Sequence, residues 1–121
     1  MTTAEQRTGA RAEAAVVRHL ESLGMSVVGT NVRVGRLELD VVARDARVIA
    51  VVEVRARGAG AWTSGFGSMD AQKRMRIRRA GERLWQRRFK RDASVDRMRF
   101  DAASVTFASG SACVEYVKAA F

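Results

Sequence analysis

Residues 36–56 constrain the fold of this 121-residue chain more than any other stretch. Two β-rich runs, Arg36 to Ala43 and Val48 to Ala56, flank Arg44-Asp45-Ala46-Arg47 and predict an antiparallel hairpin. Residues two apart in a strand project to the same side. Glu38 and Asp40 are therefore expected on one face of the first strand, with Leu37, Leu39 and Val41 on the other. In the second strand Ile49, Val51, Glu53 and Arg55 share a face, opposite Val52 and Val54. A turn centred on Asp45-Ala46 pairs residues whose numbers sum to 91, which sets Glu38 opposite Glu53 and Asp40 opposite Val51. Asp40 and Glu53 are then diagonal neighbours, about 7–8 Å apart at the backbone. In this register all three acids share one face.

Such an arrangement needs neutralising. Like charges opposed across a sheet destabilise it, and apolar neighbours add a desolvation cost. A hard divalent cation is one solution, because Mg²⁺ takes one or two carboxylates together with water and phosphate oxygens. An internal ion-pair network with Arg55, Arg57 or Arg36 is the other. Glu13, one turn before Val16 and Val17, borders the apolar stripe of its helix and is a further acid to place.

The remaining chain supplies two helices and three strands. Thr3 and Gln6 form a capping box for a helix running to Leu23, stopped by Gly24, with Val16, Val17, Leu20 and Leu23 as its apolar stripe. A short strand over Met25–Asn31 precedes the hairpin. After it comes a glycine-rich loop around Trp62 and Phe66, whose rings either stack on unpaired bases or anchor the loop to the core. Ser68 is placed to cap a second helix extending to Lys90, buried along Ile77, Ala80, Gly81, Leu84 and Trp85, with Lys73 one turn before Ile77 on the same side. Strands at 99–107 and 112–117 complete the order α-β-β-β-α-β-β. This is a single α/β domain over residues 1–121.

Composition narrows the partner. The chain carries 22 Lys and Arg against 13 Asp and Glu, net +9, with 47% hydrophobic residues. Residues 73–99 alone hold twelve basic and three acidic residues, which is the whole of that excess. So dense a run, including Arg74, Arg76, Arg78, Arg79, Arg83, Arg87 and Arg88, points either to a solvated helix face or to a phosphate-binding one. No apolar run approaches the roughly 20 residues of a membrane span, and no signal-peptide pattern is seen. The single cysteine, Cys113, excludes an internal disulfide and a cysteine zinc site, and the expected compartment is the cytoplasm.

These residues carry a resemblance. Asp40, twelve intervening residues, then Glu53-Val54-Arg55 resembles the core of the PD-(D/E)xK, or restriction-endonuclease-like, nucleases. Gly9, Glu13, Asn31-Val32-Arg33, the stretches Glu38–Asp45 and Val52–Arg57, Lys73 with Arg76-Ile77, Arg99-Phe100-Asp101 and the terminal Ala120-Phe121 resemble, in order, the YraN family of uncharacterised bacterial proteins. That family looks related to the archaeal Holliday-junction resolvases.

The resemblance implies a restriction-endonuclease-like fold, a mixed β-sheet flanked by two long helices, and a Mg²⁺ (or Mn²⁺) site held by Asp40, Glu53, the Val54 carbonyl and Glu13. Glu38 matches the acid of the family's Gly-Glu-Ile-Asp stretch. DNA is the implied partner, with RNA left open, and a homodimer is implied by analogy with the resolvases. Two departures stand out. Leu37 occupies the usual glycine before Glu38, and Arg55 replaces the motif lysine. Arginine keeps the charge but cannot act as a base. Lys73 either compensates at the catalytic site or contacts DNA backbone. The expectation is a Mg²⁺-dependent endonuclease, with a non-catalytic nucleic-acid-binding protein or an interaction module for an acidic partner as alternatives.

Overall fold

The computed structural model describes residues 3–57 and 71–121. Helix α1 spans Ala4–Ser22 and strands β1, β2 and β3 span Ser26–Val34, Leu37–Asp45 and Val48–Arg57. Helix α2 spans Ala71–Leu84 and runs on into a π-helical turn over Trp85–Phe89, followed by β4 at Arg97–Ala108 and β5 at Ser111–Val117. The expected order is borne out. Trp62, Phe66 and Ser68 lie outside the described residues.

Local chemistry sets the ends of α1. The Thr3 hydroxyl accepts from Gln6 N–H at 3.1 Å while Thr3 N–H donates to the Gln6 side chain at 2.9 Å, closing the capping box. At the other end Gly24 takes φ +84°, and Gly24 and Met25 N–H groups bond back to Glu21 and Leu20 carbonyls. This Schellman closure folds Met25 into the core beside Leu20. Met25 therefore replaces Leu23, the expected stripe residue, which is 54% exposed.

The five strands form one mixed sheet in the order β1-β2-β3-β4-β5. Neighbours are antiparallel except β3 and β4, which run parallel and so require the crossover that contains α2. One helix covers each face. Beneath α1 lie Ala12, Val16, Leu20, Val41, Ala43, Val52 and Val105; beneath α2 lie Leu39, Val42, Ile49, Val51, Ile77, Leu84 and Phe100. Gly81 lets α2 come close, because a Cβ there would stand 2.7 Å from the Phe100 ring.

Two expectations about the hairpin are corrected. The turn is Ala46-Arg47, with Ala46 at φ +53°, and paired residues sum to 93 rather than 91, from Asp45 with Val48 to Val41 with Val52. This register turns the Asp45 carboxylate to Arg99 at 3.1 Å and Lys118 at 3.2 Å. The pleat of β2 also breaks at Asp40. Leu37 and Leu39 pack on the α2 side with Val42, whereas Val41 and Ala43 pack on the α1 side. Glu38 and Asp40 thus do not share one regular face. The break sits opposite Asn31, whose φ of +49° kinks β1 between the pairs Thr30–Val41 and Val32–Leu39.

Candidate active site

The last ladder pair between β2 and β3 is Val41 with Val52. Beyond it the strands part, and the next residues on either side of the fork are Asp40 and Glu53. Asp40 Oδ2 accepts the Val54 N–H at 2.9 Å, so a side chain closes the ladder where backbone pairing stops. In a strand the N–H and C=O of one residue point the same way. The Val54 carbonyl therefore faces the same fork. The two-residue change in register brings Asp40 and Glu53 from diagonal to direct neighbours, and it removes Glu38 from the pair. Glu38 is exposed and meets Arg33 at 3.8 Å instead.

Electrostatics at the fork are unfavourable for two charges. Burial, then the charge of Glu53, raise the Asp40 pKa to about 7; the Val54 N–H opposes this, and a hydrogen bond with Glu53 and the charge of Glu13 add to it. Adjacent buried carboxylates resist ionising together. Glu53 is 7% exposed, and its Oε1 meets Lys73 Nζ at 2.7 Å. Neutralisation comes from Lys73 in the first turn of α2, a residue outside the Arg36, Arg55 and Arg57 network considered from sequence. Arg55 lies on the same face of β3 as Glu53, two residues on. Its Nε is buried and has no hydrogen-bond partner among the described residues.

Glu13 stands at the margin. Its carboxylate accepts from the Asn31 side chain at 3.0 Å, close enough for its charge to act on Asp40. Among the described residues no three His, Cys, Asp or Glu side chains are gathered tightly enough to hold an ion by themselves. The donor set the structure assembles is Asp40, Glu53 and the Val54 carbonyl. Two hard carboxylate oxygens and a carbonyl fit Mg²⁺ or Mn²⁺, which keep several positions for water and phosphate. Asn31, to which sequence reasoning gave no role, both kinks β1 opposite Asp40 and holds Glu13. Its signals were residue type, since asparagine tolerates positive φ, and its place in the Asn31-Val32-Arg33 stretch of the resemblance.

The seven arginines of α2 and its π-helical turn are all exposed, but they do not form one stripe. Arg76, Arg79 and Arg83 flank a groove shared with Val34, Arg36 and Leu37 at the β1–β2 turn. Arg79, Arg83 and Arg87 continue it with Glu82 and Gln86 in a shallow groove of about 520 Å³. Arg78 leans the other way and stacks 4.9 Å over the Phe100 ring, and Arg74 lies on that side of the helix. The π-helical turn, closed by Lys90 N–H to the Trp85 carbonyl at 2.8 Å, turns Phe89 into the core and leaves Arg87 and Arg88 outside.

Arg99-Phe100-Asp101, singled out by resemblance, is structural. Asp101 is fully buried and accepts from Arg99 at 2.8 and 2.9 Å, from the Tyr116 hydroxyl and from Ala119 N–H. Arg99 also reaches Asp45 on the hairpin, so one network ties β2, β4, β5 and the C-terminal residues. No described helix is long and apolar enough to cross a membrane.

Comparison with known proteins agrees with the ordered motifs. The sequence profile described as uncharacterised protein family UPF0102 matches residues 12–105. A UPF0102 protein of Sorangium cellulosum is 61% identical over 119 residues, covering 98% of this chain and 83% of the relative. UPF0102 proteins of Nocardia farcinica and Pseudomonas fluorescens are 35% and 33% identical, over 97% and 88% of this chain and 91% and 85% of their own lengths. On the match of profile, relatives and motif order, the chain belongs to the UPF0102, or YraN, family.

Proposed function

We propose that this protein is a Mg²⁺-dependent nuclease acting on DNA, with branched or otherwise structured DNA as its substrate class. The observation that carries this reading is the Asp40–Glu53 pair, set side by side at a strand fork and balanced by an ammonium at 2.7 Å. Asp40, Glu53 and the Val54 carbonyl are the residues that would hold the ion, with Glu13 at the margin. When bound, such an ion polarises a phosphoryl oxygen and lowers the pKa of water. Arg55 offers a guanidinium beside the pair whose buried Nε has no partner among the described residues, and a phosphate oxygen is a natural acceptor for it. It stabilises negative charge and takes no proton. The arginines of α2 track neighbouring phosphates without reading bases. Their divergence into two rows suits a substrate presenting phosphates on both sides of the helix.

One observation favours a second reading. Arg55 stands where the motif has lysine, and a protein on this fold that binds nucleic acid without cutting it would tolerate that exchange. Cleavage assays on linear, flapped and four-way DNA and on RNA, with Mg²⁺ or Mn²⁺, separate the two. Cleavage by wild type that Asp40→Ala abolishes supports the nuclease. Binding without cleavage by both wild type and Arg55→Lys supports the second reading.

A further inference from the structure

The Lys73–Glu53 contact raises a question that the nuclease reading does not answer: why an ammonium lies where a divalent cation is expected. Glu53 is 7% exposed and its partner 36% exposed, so the cation comes in from the solvent side of a nearly buried carboxylate. Lys73 belongs to the first turn of α2, and Asp40 and Glu53 to the sheet, so the contact spans two elements. Without a positive charge there, two adjacent carboxylates would share the fork with Glu13 close by. An ammonium is a compact point charge on a flexible stem and can leave without changing its protonation.

We propose that Lys73 is a built-in placeholder for the divalent cation: its ammonium holds the carboxylate pair together until the ion enters and is then released from Glu53. This rests on the metal reading above and extends it to the regulation of the same site. The exchange moves one charge and breaks no covalent bond. Released, Lys73 stands beside Arg74 and Arg76 at the start of the basic helix, where it adds a positive charge for a phosphate only once the site is loaded. Arg55 supplies a fixed cation on the strand and Lys73 a conditional one on the helix, dividing between them the place of one motif lysine.

Binding of Mn²⁺ alone tests this without reference to activity. Calorimetric titration at pH 8 compares wild type with Lys73→Met, Lys73→Gln and Lys73→Arg, each checked for fold by circular dichroism. A placeholder competes with the ion, so Lys73→Met and Lys73→Gln are expected to bind Mn²⁺ about tenfold more tightly, as for loss of one charge-assisted contact at a partly exposed lysine. Lys73→Arg keeps the competing charge and should stay within about twofold of wild type. A purely supporting lysine predicts the opposite sign, because its loss would let the pair splay. Unchanged or weaker Mn²⁺ binding in both neutral variants, with wild type binding normally, overturns the placeholder and leaves the metal site standing. No Mn²⁺ binding by any of the four proteins overturns the metal reading and the placeholder with it.

Discussion

Replacing Asp40 with asparagine should make the protein more stable while removing its proposed function. Asparagine has the same shape, still accepts the Val54 N–H now bonded at 2.9 Å, and adds an N–H₂ that can donate to Glu53. What it removes is a carboxylate whose pKa is raised from 3.8 to about 7 by burial and by Glu53. A group that binds its proton more tightly folded than unfolded lowers stability as pH rises between those two values. At about 1.36 kcal/mol per unit, a rigid, dry site would lose about 4 kcal/mol by neutral pH. Solvent reaching the partly exposed Asp40 reduces this to about 2 kcal/mol. For a chain of this size that is a rise in Tm of roughly 6–10 °C. Thermal melts of wild type and Asp40→Asn at pH 3 and pH 8 should show almost no difference at the lower pH, which lies below the ordinary carboxylate value of 3.8, and the full gain at the higher. A variant less stable at pH 8, or a gain independent of pH, would mean that the ionised pair is not strained.

Other expectations follow from packing and charge. Gly81→Ala should destabilise by about 1–2 kcal/mol in chemical denaturation, since its Cβ meets Phe100 at 2.7 Å, whereas Gly9→Ala, with nothing within 4 Å, should stabilise by up to about 1 kcal/mol. Asp101→Ala leaves Arg99 with its buried partner gone and should cost about 3–5 kcal/mol in the same assay. Fluorescence titration with duplex DNA over a range of salt should give a steep dependence, and Arg76, Arg79 and Arg83 changed together to alanine should flatten the log–log slope by about 0.9 per arginine.

Much of this was legible in the residues. Thr3, Gln6 and Gly24 mark the ends of α1 through local hydrogen bonds and a positive φ, which depend on nothing distant. The face of Glu53 was also legible, because a register change of two residues leaves the faces of β3 where they were. What sequence could not give was the register, which the Asp45 contacts with Arg99 and Lys118 help to fix across more than fifty positions. Nor could it give the break in the pleat at Asp40. Alternation assumes an unbroken strand, and here Asn31 on the neighbouring strand bends it. The ladder between β2 and β3 ends at the same point. Lys73 was placed on the right side of its helix, but its bond to Glu53 emerges only when helix and sheet are brought together.

Anomalous diffraction from crystals grown with Mn²⁺ tests the metal site most directly. A manganese peak is expected at the fork of β2 and β3, bound by Asp40, Glu53 and the Val54 carbonyl, with Lys73 withdrawn from Glu53. Crystals saturated with Mn²⁺ that show no peak there, and Lys73 still seated on Glu53, would contradict this expectation.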